Sequence, residues 1–171
     1  MVAECEFSCF STGLGWITLA WSHNGLRRVL LPVPNFQEAE VRVLAEGWAK
    51  CQSLPKWVEQ LEGELVGYLE GRRVDLSWVK VDNSRATQFQ RNVYQALRKV
   101  PYGSTVSYSE LASLAGYPGA ARAVGQACAT NPVPLVVPCH RVIRGNGSIG
   151  GFAGGTPMKR KLLQIEGVLV L

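Results

Sequence analysis

A chain of 171 residues with 47% hydrophobic and 18% charged side chains has the apolar material for one large core or two small ones, which excludes a disordered or fibrous protein. No apolar stretch approaches the roughly 18 residues that span a bilayer, and the N-terminus MVAECEFSCF carries acids where a secretory leader carries bases, so a soluble, cytoplasmic protein without a membrane partner is expected. The net charge of +5 is unevenly held: residues 1–82 carry 8 Lys/Arg against 11 Asp/Glu, while residues 83–171 carry 10 against 2, an electrostatic footprint suited to a polyanion such as nucleic acid.

In chain order, Gly15–Trp21 is rich in β-favouring residues, Ser22-His23-Asn24-Gly25 has turn chemistry, and Leu26–Leu31 returns, which predicts a β-hairpin closed by an Asn-Gly turn. Helices are expected near 36–47 and 55–70, the second carrying Trp57, Leu61, Leu65 and Tyr68 at helical spacing. Val74-Asp75-Leu76 reads as a short strand. Charge and composition change around Val81–Ser84, which places a domain boundary between residues 82 and 83. Five cysteines without a C-x-x-C pair make a poor disulfide or zinc framework. Cys5, Cys9 and His23 fit no compact ligand pattern, so no metal is expected.

From Thr87 the pattern is helical, with Phe89, Val93, Ala96 and Leu97 as one apolar stripe ending near Val100. Ser107-Tyr108-Ser109-Glu110 matches a capping box and opens a helix carrying Leu111, Leu114 and Ala115. Gly116 ends it, Tyr117-Pro118-Gly119 turns, and Ala120 opens another helix to about Thr130, a candidate helix-turn-helix. The second helix, AARAVGQACA, is nearly all small residues, which suits close approach either to a neighbouring helix or to a nucleic-acid groove. Its one long cation, Arg122, lies in the first turn, where the helix dipole disfavours it, so it serves something other than helix stability.

Leu135-Val136-Val137 reads as a buried strand that ends in Pro138 and delivers Cys139, His140 and Arg141. Cations and an adjacent base lower a thiol pKa and make a nucleophile, yet a free cysteine also packs well as a small hydrophobe, and the residues alone leave both open. On a strand, neighbours point to opposite faces, so His140 would need a water or a backbone bend to reach the sulfur. A carboxylate would then hold the imidazole. Residues 83–171 offer only Glu110, which the capping box uses, and Glu166.

Pro138-Cys139-His140-Arg141-Val142-Ile143 resembles the signature of the O6-alkylguanine-DNA alkyltransferases (methylated-DNA–protein-cysteine methyltransferases). The similarity runs over about residues 89–167, from FQRNVYQALRKVPYGSTVSYSELA through AARAVGQACATNPVPLVVPCHRVI to GGFAGGTPMKRKLLQIEGV. It implies an α/β (α+β) fold: a small N-terminal domain of antiparallel strands and helices over 1–82, then a mainly helical helix-turn-helix domain over 83–171. It also implies a monomer, in the cytoplasm (at the nucleoid, or in a eukaryotic nucleus), that binds double-stranded DNA through the minor groove and turns an O6-alkylguanine out of the stack. O4-alkylthymine would be a second substrate.

Under the resemblance Cys139 accepts the alkyl group once and irreversibly, without a cofactor, activated through water by His140 and Glu166. Tyr108 aids extrusion and protonates guanine N3, and Asn131 holds the turn before the cysteine. Arg122 fills the vacated stack and pairs with the orphaned cytosine. Gln90, Arg91, Tyr108, Ser109, Ala121, Gly125 and Arg141 form the DNA face, and Val142, Phe152, Ala153 and Gly154 the base pocket. Several members carry tyrosine where this chain has Phe152, so backbone N–H groups of Ala153 and Gly154 would have to serve guanine O6. Two rival readings remain: a lesion-binding module with an inert Cys139, and a Cys–His hydrolase with repeated turnover.

Overall fold

The computed structural model describes residues 5–170, and the chain divides into two compact units, Met1–Asp82 and Asn83–Leu171. In the first, β1 (Glu6–Thr12), β2 (Gly15–Ser22), β3 (Gly25–Val33) and β4 (Ala49–Lys50) form one sheet in the order β3-β2-β1-β4. β2 is antiparallel to β1 and β3, and β4 is parallel to β1. The helices α1 (Phe36–Leu44) and α2 (Lys56–Leu69) follow, α1 capped by Asn35, whose side chain accepts from the Glu38 N–H at 2.8 Å. Phe7, Ala20 and Val43 centre one core cluster, with Cys9, Leu30 and Trp48 packed on it.

Two expectations for this unit need correction. The two-residue hairpin loop is His23–Asn24, and Gly25 is the first residue of β3. Glycine is required there because a Cβ would stand 2.4 Å from the Lys80 carbonyl oxygen and φ is +129°. Val74–Leu76 is not a strand; the Asp75 carboxylate takes the Ser77 N–H at 2.9 Å, a local turn bond in place of a ladder bond.

The second unit contains α3 (Gln88–Leu97), β5 (Val106–Ser107), α4 (Tyr108–Leu114), α5 (Ala121–Ala129), β6 (Val142–Ile143) and α6 (Thr156–Ile165). Capping boxes open α3 (Thr87 with Gln90) and α4 (Ser107 with Glu110), so each helix starts where its first free N–H groups find side-chain acceptors. Gly116, at φ +88°, stops α4, and α5 packs back against α4 and α3. Leu111 and Ala112 are the buried side of α4, whereas Leu114 is 67% exposed instead of joining Leu111 in the core.

The segment before the cysteine departs most from expectation. Leu135–Val137 is buried but is not a strand, and Leu135 has φ +74°. Pro138, at φ −81° and ψ 64°, makes an inverse γ-turn in which the Cys139 N–H donates to the Val137 carbonyl at 2.8 Å. Cys139–Arg141 is then a single 3-10 turn. Prolines at 134 and 138 cannot donate to a ladder, and the Asn131 side chain supplies the missing bonds.

Candidate active site

Asn131 stands just past α5 and works in both directions. Its Oδ1 accepts from the Val133 N–H at 3.1 Å, while Nδ2 donates to the Val137 carbonyl at 2.8 Å and to Cys139 Sγ at 3.2 Å. The turn and the thiol are thus fixed by one buried amide. Cys139 is 4% exposed. Burial pushes its thiol above the ordinary value, while the Asn131 hydrogen bond and the charge of Lys159 pull the other way.

The 3-10 turn sends His140 into the core, where it is fully buried, and Nε2 lies 2.7 Å from Glu166 Oε1. A carboxylate only accepts, so Nε2 carries the proton and Nδ1 is left with the lone pair, the base position of the ring. Glu166 also accepts three hydrogen bonds from Arg141, at 3.0–3.2 Å, and one from the Gly103 N–H at 3.0 Å. Arg141 already balances the carboxylate's charge, so an imidazolium is not needed for neutrality. Burial is the leading influence and holds His140 below its ordinary value, a neutral imidazole able to take a proton.

Arg141, expected on the DNA face, has its guanidinium spent on Glu166 and on the Val100 carbonyl, at 2.7 Å, with its side chain 12% exposed. Val142 is also relocated. It is fully buried in β6, paired with Val106, and does not line the cavity at Cys139.

That cavity encloses about 180 Å³. Tyr108, at the start of α4, and Gly125, in α5, form one side; a Cβ on Gly125 would stand 3.8 Å from the Tyr108 ring. Cys128 and Ala129 continue α5 beside Cys139, and Gly151, Phe152 and Ala153 close the far side. Gly154 is exposed and outside the lining; Gly151 takes its place. Lys159 Nζ donates to the Gly151 carbonyl at 3.0 Å and to the Val142 carbonyl, which ties the loop at Gly151 to α6. Burial leads in pushing the Tyr108 phenol up, so it stays protonated and able to donate.

Lys159 and Cys128 were not foreseen, although a signal exists. Lys159, Leu162, Leu163 and Glu166 recur at i, i+3, i+4 and i+7, and all four are buried: an amphipathic α6 whose apolar side holds two ionisable groups. Val124, Ala127, Cys128 and Asn131 repeat that spacing at α5. Burial brings Lys159 down to about 8 and pushes Cys128 up to about 12.

Of the remaining DNA-face residues, Ser109, Arg122 and the partly exposed Ala121 are at or near the first turns of α4 and α5. Among the described residues no hydrogen bond or ion pair engages the exposed Arg122 side chain, and α5 has no acid in its first turn. Gln90 Oε1 is bound to the Thr87 N–H, and the Arg91 guanidinium to the Ala86 carbonyl at 2.7 and 3.0 Å, so both are held on α3.

Residues 88–168 match the family model described as the DNA-binding domain of 6-O-methylguanine DNA methyltransferase. Over 163 residues, 94% of this chain and 97% of the relative, the sequence is 36% identical to a methylated-DNA–protein-cysteine methyltransferase of Methanosarcina acetivorans. The chain belongs to the methylated-DNA–protein-cysteine methyltransferases. The fold agrees along nearly its whole length. A crystal structure of Mycobacterium tuberculosis OGT in complex with DNA matches with a TM-score of 0.76 at 33% identity, covering 95% of this chain and 93% of that one. The O6-methylguanine-DNA methyltransferase from Pyrococcus kodakaraensis matches with a TM-score of 0.71 at 28% identity, covering 96% and 99%. Membership makes the chain a DNA-repair enzyme that transfers an alkyl group to a cysteine.

Proposed function

We propose that Cys139 is the alkyl acceptor, and that it takes the group once, from O6-alkylguanine, and from O4-alkylthymine as a second substrate, turned out of double-stranded DNA through the minor groove. The carrying observation is that Cys139, in the wall of the 180 Å³ cavity, is held by Asn131 and followed directly by the buried His140–Glu166–Arg141 chain of contacts. Every residue in it comes from the unit Asn83–Leu171, which supports a monomer as the working form. With Nε2 committed to Glu166, Nδ1 is the nitrogen that takes the thiol proton, through a bridging water. The thiolate attacks the alkyl carbon in line, the S–C bond forming as the C–O6 bond breaks. The electron pair passes to guanine, and the protonated Tyr108 supplies N3. The thioether product has no leaving group for water to displace, so turnover ends there.

The test is a duplex carrying O6-methylguanine with a labelled methyl. One label per protein is expected on the peptide containing Cys139; more than one repaired guanine per protein would show a hydrolytic or catalytic route instead. The same assay carries a pH dependence. Because burial raises the Cys139 thiol, the thiolate is the minor form at neutral pH and grows as pH rises, so the single-turnover rate is expected to climb up to about tenfold per unit between roughly pH 6 and 8. Lys159 loses its stabilising charge near 8, which flattens the rise above that point. A rate that falls over this range would contradict a thiolate mechanism.

A further inference from the structure

Cys128 is a buried thiol in the cavity with no part in the chemistry above. We propose that its side chain sets the largest alkyl group that Cys139 can accept, a proposal that rests on Cys139 as the acceptor. In-line displacement holds sulfur, carbon and O6 on one axis, so any substituent beyond the first carbon projects sideways from that axis. It meets whichever wall adjoins Cys139 Sγ.

The walls leave few side chains able to set that limit. Gly125, Ala129, Gly151 and Ala153 carry nothing beyond a Cβ. Tyr108 and Phe152 are the two aromatic rings of the lining, suited to bound a flat base. Cys128 is the remaining side chain, and Asn131 ties it to the acceptor: the Asn131 N–H donates to the Cys128 carbonyl at 3.3 Å while its side-chain amide donates to Cys139 Sγ at 3.2 Å. Besides burial, the charge of Cys139 helps to push Cys128 up, and Lys159 pulls both thiols down, which agrees with their adjacency. The space is also tight. At about 180 Å³ the cavity is below the roughly 300 Å³ at which drug-sized ligand sites begin, so a base with a small alkyl group fills it and each further carbon is contested.

One methylene more or less in such a pocket changes a rate ratio by roughly 10- to 200-fold. Single-turnover constants measured on duplexes containing O6-methylguanine or O6-benzylguanine test this. Cys128→Ala is expected to raise the benzyl/methyl ratio by about tenfold or more, and Cys128→Met to lower it by a similar factor. Cys128→Ser, nearly isosteric, is expected to keep the ratio within about threefold, which separates size from thiol chemistry, and Cys128→Met carries the size test if Cys128→Ala misfolds. A ratio unmoved by both Cys128→Ala and Cys128→Met, or moved by Cys128→Ser as far as by Cys128→Ala, overturns the assignment of size control to Cys128. Mass analysis of the unaltered protein keeps the two readings apart: no methyl on Cys139 overturns the acceptor assignment and this proposal together, whereas a methylated Cys139 with an unmoved ratio overturns only this one.

Discussion

Glu166→Gln will cost this protein both its fold margin and its chemistry, the largest double loss expected of any single change in the site. The carboxylate accepts from His140, from Arg141 three times and from Gly103, and its side chain is fully buried. An amide is neutral and has one acceptor oxygen, so Arg141 keeps its charge at 12% exposure without a counterion. Removing one partner of a buried pair destabilises by about 3–5 kcal/mol, which would lower the melting temperature by roughly 10 °C or more. The chemical loss is separate. Without an obligate acceptor on Nε2 the ring can place its proton on either nitrogen, and Nδ1 ceases to be a committed base. Loss of a positioned base lowers rates by about 10²–10⁴. Measured well below the transition, alkyl transfer from duplex and from free O6-benzylguanine should fall together, because neither can bypass the thiol. Cys139→Ser should abolish transfer while leaving the melting temperature near that of the unaltered chain. A Glu166→Gln protein that melts earlier yet transfers at full rate would confine Glu166 to a structural part.

The contrast between Arg141 and Arg122 shows what was legible in the sequence. Short-range signals carried through: the helix start at Thr87, the capping box at Ser107 and the glycine stop at Gly116 all depend on neighbours within four residues. Elimination also reached far, since a half with two carboxylates and one of them capping a helix leaves Glu166 alone for His140, 26 positions away. What failed was backbone shape between two prolines. An apolar run flanked by prolines reads as a buried strand, but the γ-turn at Pro138 and the left-handed Leu135 depend on an amide donor at Asn131 that no period reports. That error moved the neighbours of the thiol: with a 3-10 turn in place of a strand, Arg141 swings onto Glu166, Val142 enters β6, and Lys159 fixes Gly151 against the cavity. Charge at Arg141 and at Arg122 looked alike in the sequence. Only burial separates a cation spent inside the molecule from one left outside it.

Arg122→Ala is expected to leave the fold intact and to disable repair of duplex DNA. At the second position of α5 the guanidinium is exposed, lies at the positive end of the helix dipole, and has no acid in the first turn to offset it. Alanine there removes an unfavourable placement, so the melting temperature should hold or rise slightly. The functional loss follows from the stack. Turning a base out of a duplex costs a few kcal/mol, and a long side chain inserted into the gap offsets part of it. Losing about 1.5–3 kcal/mol of that compensation corresponds to roughly a 10- to 100-fold slower transfer from duplex O6-methylguanine. Free O6-benzylguanine has no stack to leave, and Arg122 is not among the residues lining the cavity at Cys139, so its reaction should stay within about twofold of the unaltered rate. Placing the lesion opposite an abasic site, where less stacking and no pairing must be broken, should narrow the deficit of Arg122→Ala. Equal losses on duplex and free base, or a deficit that does not respond to the opposing abasic site, would mean that Arg122 supports α5 or the thiol and does not fill the vacated stack.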